Sequence, residues 1–182
     1  MRQIALSTLI SLSTIPGSAL GCWDAAGQRY GVSPQLLYAM AQIESSLNPS
    51  AVNRSHLRRT RSYDIGLMQI NSSNLDGLSR FGIRESDLYD ACTNIYVAAW
   101  LLSQQFARYG VSWEAVGAYN AACTQLKGEN CQRARSDYAW RVYRRLTGQP
   151  ASIKAGKSIS SASSAPAGSM PHPVILAIRV SP

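Results

Sequence analysis

Apolar positions recur at helical spacing through the middle of the 182-residue chain. Leu36, Met40, Ile43 and Leu47 follow the i, i+4, i+7 spacing of one buried stripe. Ser33 is placed to cap that helix and Pro34 to occupy its first position, and Asn48-Pro49 must end it a turn after Glu44. A longer stripe, Ile95, Ala98, Ala99, Leu102 and Phe106, begins behind a capping Asp90 and stops at Gly110, which makes it the expected central helix. Ser112 opens another helix that runs through Tyr119. Ser136 or Asp137 opens the last, with Ala139, Val142, Tyr143 and Leu146 at helical spacing before Gly148. A short helix over 23–30, closed by Gly31, precedes them all. The pattern predicts a mainly α domain of five or six helices with at most a vestigial β-hairpin, and about 125 residues can bury one adequate core.

The remaining stretches lack a period. Residues 53–62 are crowded with arginine and read as an exposed loop. The segment 65–70 is too short to classify, and Gly66 with Asn71-Ser72-Ser73-Asn74 reads as a tight extended turn before a new helix start. Phe81, Ile83 and Leu88 read as small core anchors in a connecting loop. At the N-terminus, Arg2, an apolar run over 4–15, Pro16-Gly17 and the small residues Ala19 and Gly21 form a secretory signal peptide, expected to span 1–21. The domain then spans 22–147. Residues 148–182 turn to Ser, Ala, Gly and Pro without period and are expected to form a flexible tail, ending in a β-prone run over 174–180.

Export changes the reading of the cysteines. Four in an exported chain favour two disulfides, for which three connectivities exist. Cys123 and Cys131 flank a short polar loop and can close on each other, leaving Cys22 with Cys92. An acylated Cys22 is the competing reading, but the leucine usual three residues before such a cysteine is missing and an odd number of thiols would remain. The spacings do not match a zinc site. A formal net charge of +8 calls for an acidic partner, either nucleic acid or a cell wall bearing carboxylate-rich peptides. The excess lies in Arg54, Arg58, Arg59 and Arg61 and in Arg133, Arg135, Arg141, Arg144 and Arg145, with no nucleic-acid motif among them. Solvated basic faces explain them equally well.

Glu44 stands out chemically. It shares a helix side with Leu37, Met40 and Ala41 and lies near the partially negative helix end, so burial and dipole both disfavour its ionised form. A carboxylic acid still protonated near neutrality is what protonation of a glycosidic oxygen requires. By position alone a lone glutamate on a helix is more often a solvated surface residue. The surrounding pattern decides against that. Glu44-Ser45-Ser46-Leu47-Asn48-Pro49-Ser50-Ala51, then Gly66-Leu67-Met68-Gln69, then Asn94-Ile95 and Ala118-Tyr119-Asn120-Ala121 together resemble the soluble lytic transglycosylases. Within that family they are most similar to small secreted members attached to conjugation, type IV pilus and type III secretion systems.

The resemblance implies a lysozyme-like fold, peptidoglycan glycan strands as substrate, a periplasmic location, and neither metal nor organic cofactor. It makes Glu44 the single general acid and then base, with Ser45 steadying its carboxyl group. Met68 and Gln69 would line the sugar groove, Tyr119 and Asn120 would reach the glutamate and the substrate, and Tyr138, in the form Tyr-Ala-x-x-Val, would face the same site. Two departures bear on this. The family commonly shows Ala-Tyr-Asn-Ala-Gly, whereas here Ala122-Cys123 follows Ala121, which puts a disulfide cysteine where flexibility is usual. Asp64, in Tyr63-Asp64-Ile65-Gly66, also resembles the second carboxylate of animal-type lysozymes, which keeps open a muramidase using Glu44 and Asp64. A catalytically silent wall-binding or assembly module is the third reading.

Overall fold

The computed structural model describes residues 19–149 of the chain. The tail beyond 149 and all but the last three residues of the signal segment lie outside the described residues. Among the described residues seven α-helices, two 3-10 turns and three very short strands follow, with helices and strands in the order α1 (Ala19–Tyr30), α2 (Pro34–Glu44), β1 (Val52–Asn53), α3 (Leu57–Thr60), β2 (Asp64–Ile65), β3 (Ile70–Asn71), α4 (Leu75–Ser79), α5 (Ala91–Tyr109), α6 (Trp113–Asn120) and α7 (Gly128–Thr147). The 3-10 turns, Ser72–Asn74 and Glu85–Tyr89, precede α4 and α5.

The caps explain where the helices start. Ser33 Oγ accepts from Leu36 N at 3.3 Å, the Asp90 carboxylate from Thr93 N at 2.8 Å, and Ser112 Oγ from Ala115 N at 3.3 Å. Apolar stripes then choose the packing. α5 lies between α1 and α6, while α7 covers α6 and α2. Leu36, Leu37 and Met40 from α2, Ile95 and Leu102 from α5, Val116 from α6 and Tyr138 and Val142 from α7 meet Ile65, Met68 and Ile70 in one core. Gly117 permits the close crossing of α6 on α7, because a Cβ there would sit 2.6 Å from the Arg135 carbonyl oxygen. A larger residue would push α6 away from α7.

The structure differs from the periodicity in two elements. The last helix begins at Gly128, not at Ser136 or Asp137. Its added turns hold Glu129, Asn130, Gln132 and Arg133, all exposed, so no apolar period marks them. The segment read as a loop contains β1 and α3, the latter only four residues long and closed by Arg61 in the left-handed region. The small sheet has three antiparallel strands in the order β1-β2-β3, with Asp64 opposite both Asn53 and Asn71. Strands of two residues are too short to show an alternating pattern.

Cys22 is joined to Cys92, tying α1 to α5, and Cys123 to Cys131, tying the α6–α7 connection to the first turn of α7. Loop closure makes these worth about 4 and about 2.5 kcal/mol respectively. Among the described residues no helix is long and apolar enough to cross a membrane.

Candidate active site

Glu44 is the last residue of α2, and the chain turns sharply behind it. Ser46 and Leu47 both take positive φ, 56° and 65°, while the amides of Ser45 and Leu47 return to the Ala41 carbonyl. Leu47 packs back on the core, which fixes this strained turn and leaves the Glu44 side chain half-buried. Its Oε1 accepts a 2.6 Å hydrogen bond from the Tyr138 hydroxyl of α7. Oε2 has no hydrogen-bond partner among the described residues and reaches solvent. One oxygen is anchored and the other is free to carry a proton.

Burial raises the Glu44 pKa from the ordinary 4.5 to about 7, and the Asp64 charge adds to the rise. The Tyr138 hydrogen bond and the Arg141 guanidinium oppose it. Arg141 also lies over the Tyr138 ring, 5.4 Å from its centre. Burial and the Glu44 charge hold the hydroxyls of Tyr138 and Tyr119 well above their ordinary range, so both remain proton donors.

Asp64 arrives from the sheet. Its Oδ1 accepts from Asn71 Nδ2 at 2.8 Å and its Oδ2 from Asn53 Nδ2 at 3.2 Å. The strand register creates this, since both amides stand directly across from Asp64 on its two neighbours. His56, just ahead of α3, places Nε2 3.6 Å from Asp64 Oδ2. The carboxylate is thereby held by side chains from both flanking strands.

Between β2 and β3 the chain runs through 66–69 in a tight loop. Gly66 has φ +76°, and a Cβ there would collide with the Asn94 amide and the Leu88 carbonyl. Asn94, buried on α5, clamps this loop by accepting from Met68 N at 2.7 Å and donating to the carbonyls of Ile65 at 3.1 Å and Leu88 at 2.7 Å. Tyr119 fixes the loop from α6 through a 3.0 Å bond from its hydroxyl to the Met68 carbonyl. Gln69, at φ 50°, turns its Nε2 back onto the Gly66 carbonyl at 2.8 Å and the Ala51 carbonyl at 3.3 Å.

The residues singled out from sequence therefore take distinct places. Tyr138 touches Glu44 directly. Asn120 is exposed at the end of α6 and has no hydrogen-bond partner among the described residues. Met68 is fully buried, so its side chain belongs to the core and only its backbone shapes the site. Ser45 makes no hydrogen bond to Glu44 among the described residues. Its hydroxyl donates to the Leu67 carbonyl at 2.7 Å and accepts from Asn48 N at 3.0 Å, which fastens the turn that carries Glu44. The roles of Arg141, Asn53, Asn71 and His56 were not evident in sequence. A separate cavity of about 520 Å³, lined by Arg29, Phe81, Tyr96 and Trp100 among others, includes none of the site residues.

The sequence profile of the family described as "Transglycosylase SLT domain" matches residues 21–140. The chain belongs to that family. As an SLT-domain protein it is a peptidoglycan lytic transglycosylase. The "Invasion protein IagB" of Salmonella typhimurium (strain SL1344) is 40% identical over 147 residues, covering 80% of this chain and 89% of that protein. The "X polypeptide" of Escherichia coli (strain K12) is 40% identical over 142 residues, 78% of this chain and 79% of the other. "Protein IpgF" of Shigella flexneri is 42% identical over 125 residues, 68% and 78% of the two chains. Among solved structures, an inactive mutant of the lytic transglycosylase Slt from Pseudomonas aeruginosa matches with TM-score 0.53 and 20% identity. It aligns with 75% of this chain and 25% of that one, which shows a shared, lysozyme-like SLT fold.

Proposed function

We propose that this SLT domain cleaves the β-1,4 bond between N-acetylmuramic acid and N-acetylglucosamine with Glu44 as sole acid and base, releasing a 1,6-anhydro end. The observation that carries this is Glu44 itself, raised to about 7, anchored on one oxygen by Tyr138 and free on the other. Glu44 gives its proton to the glycosidic oxygen as the bond from C1 to that oxygen breaks. The substrate's N-acetyl group and the Asp64 charge stabilise the positive charge developing at C1. The Glu44 carboxylate then takes the proton of the muramoyl 6-hydroxyl, whose oxygen bonds to C1 and restores the acid. An internal nucleophile has a high effective concentration, so neither water nor a second acid is needed. Mass spectrometry of digested sacculi tests this: anhydro products, lighter by one water than hydrolysed ends, are expected, and reducing ends alone would refute it.

The pH dependence follows from the direction of the Glu44 shift. The acid step needs the protonated form, so kcat/KM should be level well below pH 7 and fall about tenfold per unit above it. A profile still flat to pH 9 would exclude Glu44 as the acid.

The fixed position of Asp64 favours one second reading, a muramidase in which it stabilises or attacks C1 while water completes the reaction. Its hydrogen bonds to Asn53 and Asn71 equally suit a structural and electrostatic task, which we favour. Asp64→Asn should therefore lower turnover by about tenfold, the order of one weakened charge contact, and leave the anhydro product unchanged. Incorporation of labelled water oxygen at C1 by wild type, abolished in Asp64→Asn, would instead establish the hydrolase.

For the biological setting we infer an exported, periplasmic enzyme that opens local gaps in the wall for a secretion, conjugation or pilus apparatus. Two disulfides and the apolar leader pattern support export. The name of IagB ties that relative to invasion, which supports a role beside such an apparatus.

A further inference from the structure

Glu44 must work twice in the proposed reaction, and most of its surroundings favour only the first half. Burial and the Asp64 charge keep the proton on it, which suits an acid. Once that proton has gone to the glycosidic oxygen, the same surroundings disfavour the carboxylate that must wait for the muramoyl 6-hydroxyl. Asp64, from β2, sets a second negative charge nearby. Tyr119, from α6, commits its hydroxyl to the Met68 carbonyl. Among the described residues the groups that favour the carboxylate are Tyr138 and Arg141, both from α7.

These two stand three residues apart, on one face of the helix. Ala139 and Val142 are buried beside Tyr138 and turn α7 so that the tyrosine ring enters the core. Its hydroxyl ends 2.6 Å from Glu44 Oε1. The Arg141 guanidinium lies over the ring, 5.4 Å from its centre. Burial and the Glu44 charge hold the Tyr138 proton in place, and the Arg141 charge opposes them at the same hydroxyl. A cation on the face of a phenol draws electron density from it and makes its O–H the stronger donor, most of all to an ionised acceptor. Arg141 is exposed, and neither Asp137, one turn before it, nor any other carboxylate pairs with it among the described residues. Solvent screens its charge in part, but no neighbour cancels it.

We propose that Arg141 is a positioning residue for the Glu44 cycle: acting through the Tyr138 ring and hydroxyl, its guanidinium holds the Glu44 carboxylate between proton donation and proton return. The inference rests on the reading of Glu44 as both acid and base. No proton leaves Arg141 or Tyr138. The one transferred goes from Glu44 to the leaving oxygen, and its replacement comes from the 6-hydroxyl as that oxygen bonds to C1. Without the cation Glu44 is a weaker acid and its carboxylate is less stable, so the barrier to giving up the proton rises.

The test is the pH dependence of kcat and KM on soluble glycan strands. It is measured for the full chain as wild type, Arg141→Gln, Arg141→Lys, Tyr138→Phe, and Tyr138→Phe combined with Arg141→Gln. Arg141→Gln should move the alkaline limb of kcat/KM upward by about 0.5–1 pH unit, the size of one partly screened charge. It should also lower kcat on the acid side by about twofold to fivefold, with KM unchanged. Arg141→Lys keeps a charge and should restore at least half of the shift. On Tyr138→Phe, the change of Arg141 to Gln should move the limb by less than half as much, because the hydroxyl that carries the effect is gone. A purely structural part for Arg141 would lower activity without moving the limb. A limb that stays in place in Arg141→Gln, a rise in KM alone, or an undiminished shift on Tyr138→Phe would overturn the positioning role while leaving Glu44 as the acid. A wild-type profile without an alkaline limb would remove the acid reading and this role with it.

Discussion

Glu44→Gln should lose activity on purified sacculi by about 10²- to 10⁴-fold, the range that a positioned acid contributes, and at the same time become the more stable protein in alkali. Glutamine keeps the shape of the side chain and can still accept from Tyr138, but it cannot deliver a proton. The stability effect follows from the sign of the shift. Folding lifts the Glu44 pKa from 4.5 to about 7, so between those values the folded chain holds a proton that the unfolded chain has released. Stability linked to that proton is complete below the unfolded value and is lost as pH rises through the folded one. Above pH 7 the wild type keeps a half-buried charge beside Asp64 that the variant lacks. Thermal melts at pH 5 and pH 8.5 should therefore show the variant gaining on wild type only at the higher pH. Equal zymogram clearing by both proteins would end the assignment of Glu44 and leave the silent wall-binding module standing. Equal melting differences at both pH values would mean that burial does not set this pKa.

Glu44 was legible because two independent signals coincide at it, an apolar stripe that must bury one side of its helix and a Pro-terminated turn that must put it at the helix end. Tyr138 was legible only through the local pattern Tyr-Ala-x-x-Val. Nothing in sequence states that α7 returns to α2, because that pairing is made by core packing and not by spacing. The partners of Asp64 were hidden for a similar reason. Asn53 and Asn71 lie far from each other along the chain and become its neighbours through the register of strands two residues long, where no alternation exists to be read. Ser45 entered through the resemblance, as the residue steadying the Glu44 carboxyl, and what no spacing could state is that its hydroxyl bonds to the Leu67 carbonyl and so fastens the turn that carries Glu44. The early turns of α7 escaped notice because a disulfide, a local constraint without periodicity, fixes the loop that precedes them.

Fold and chemistry are joined at the loop 66–69. It is pinned by Tyr119 from α6, by Asn94 from α5 and by Ser45 from the Glu44 turn, so three elements converge on a segment without regular structure. Such convergence over-determines the loop, which lets Gly66 and Gln69 persist at positive φ and keeps the sheet bearing Asp64 at a set position relative to Glu44. Asn94 did carry a sequence signal of its own. It stands four residues before Ala98 and eight before Leu102, so a polar side chain interrupts an otherwise apolar stripe.

Asn94→Ala should consequently be the most destabilising single change in the domain outside the disulfides. The substitution removes the partner of one buried amide, Met68 N, and of two carbonyls, Ile65 and Leu88, at a site without solvent exposure. A buried group left without its hydrogen bond costs about 1–3 kcal/mol, so three of them at about 1–2 each lose about 3–6 kcal/mol from a total of about 5–15. The melting midpoint should fall by about 10–20 °C for a domain of this size. Asn94→Asp is the informative companion, since it retains the acceptor for Met68 N but loses both donated bonds and buries a charge in their place. It should be at least as damaging near neutral pH and recover in part in acid, where the aspartic acid can donate once. At temperatures where either variant remains folded, KM should rise as the 66–69 loop loosens, while the product stays the same. A midpoint within about 3 °C of wild type for Asn94→Ala would show that water or a backbone shift replaces the clamp, and that the positions of Glu44 and Asp64 are fixed by the core alone.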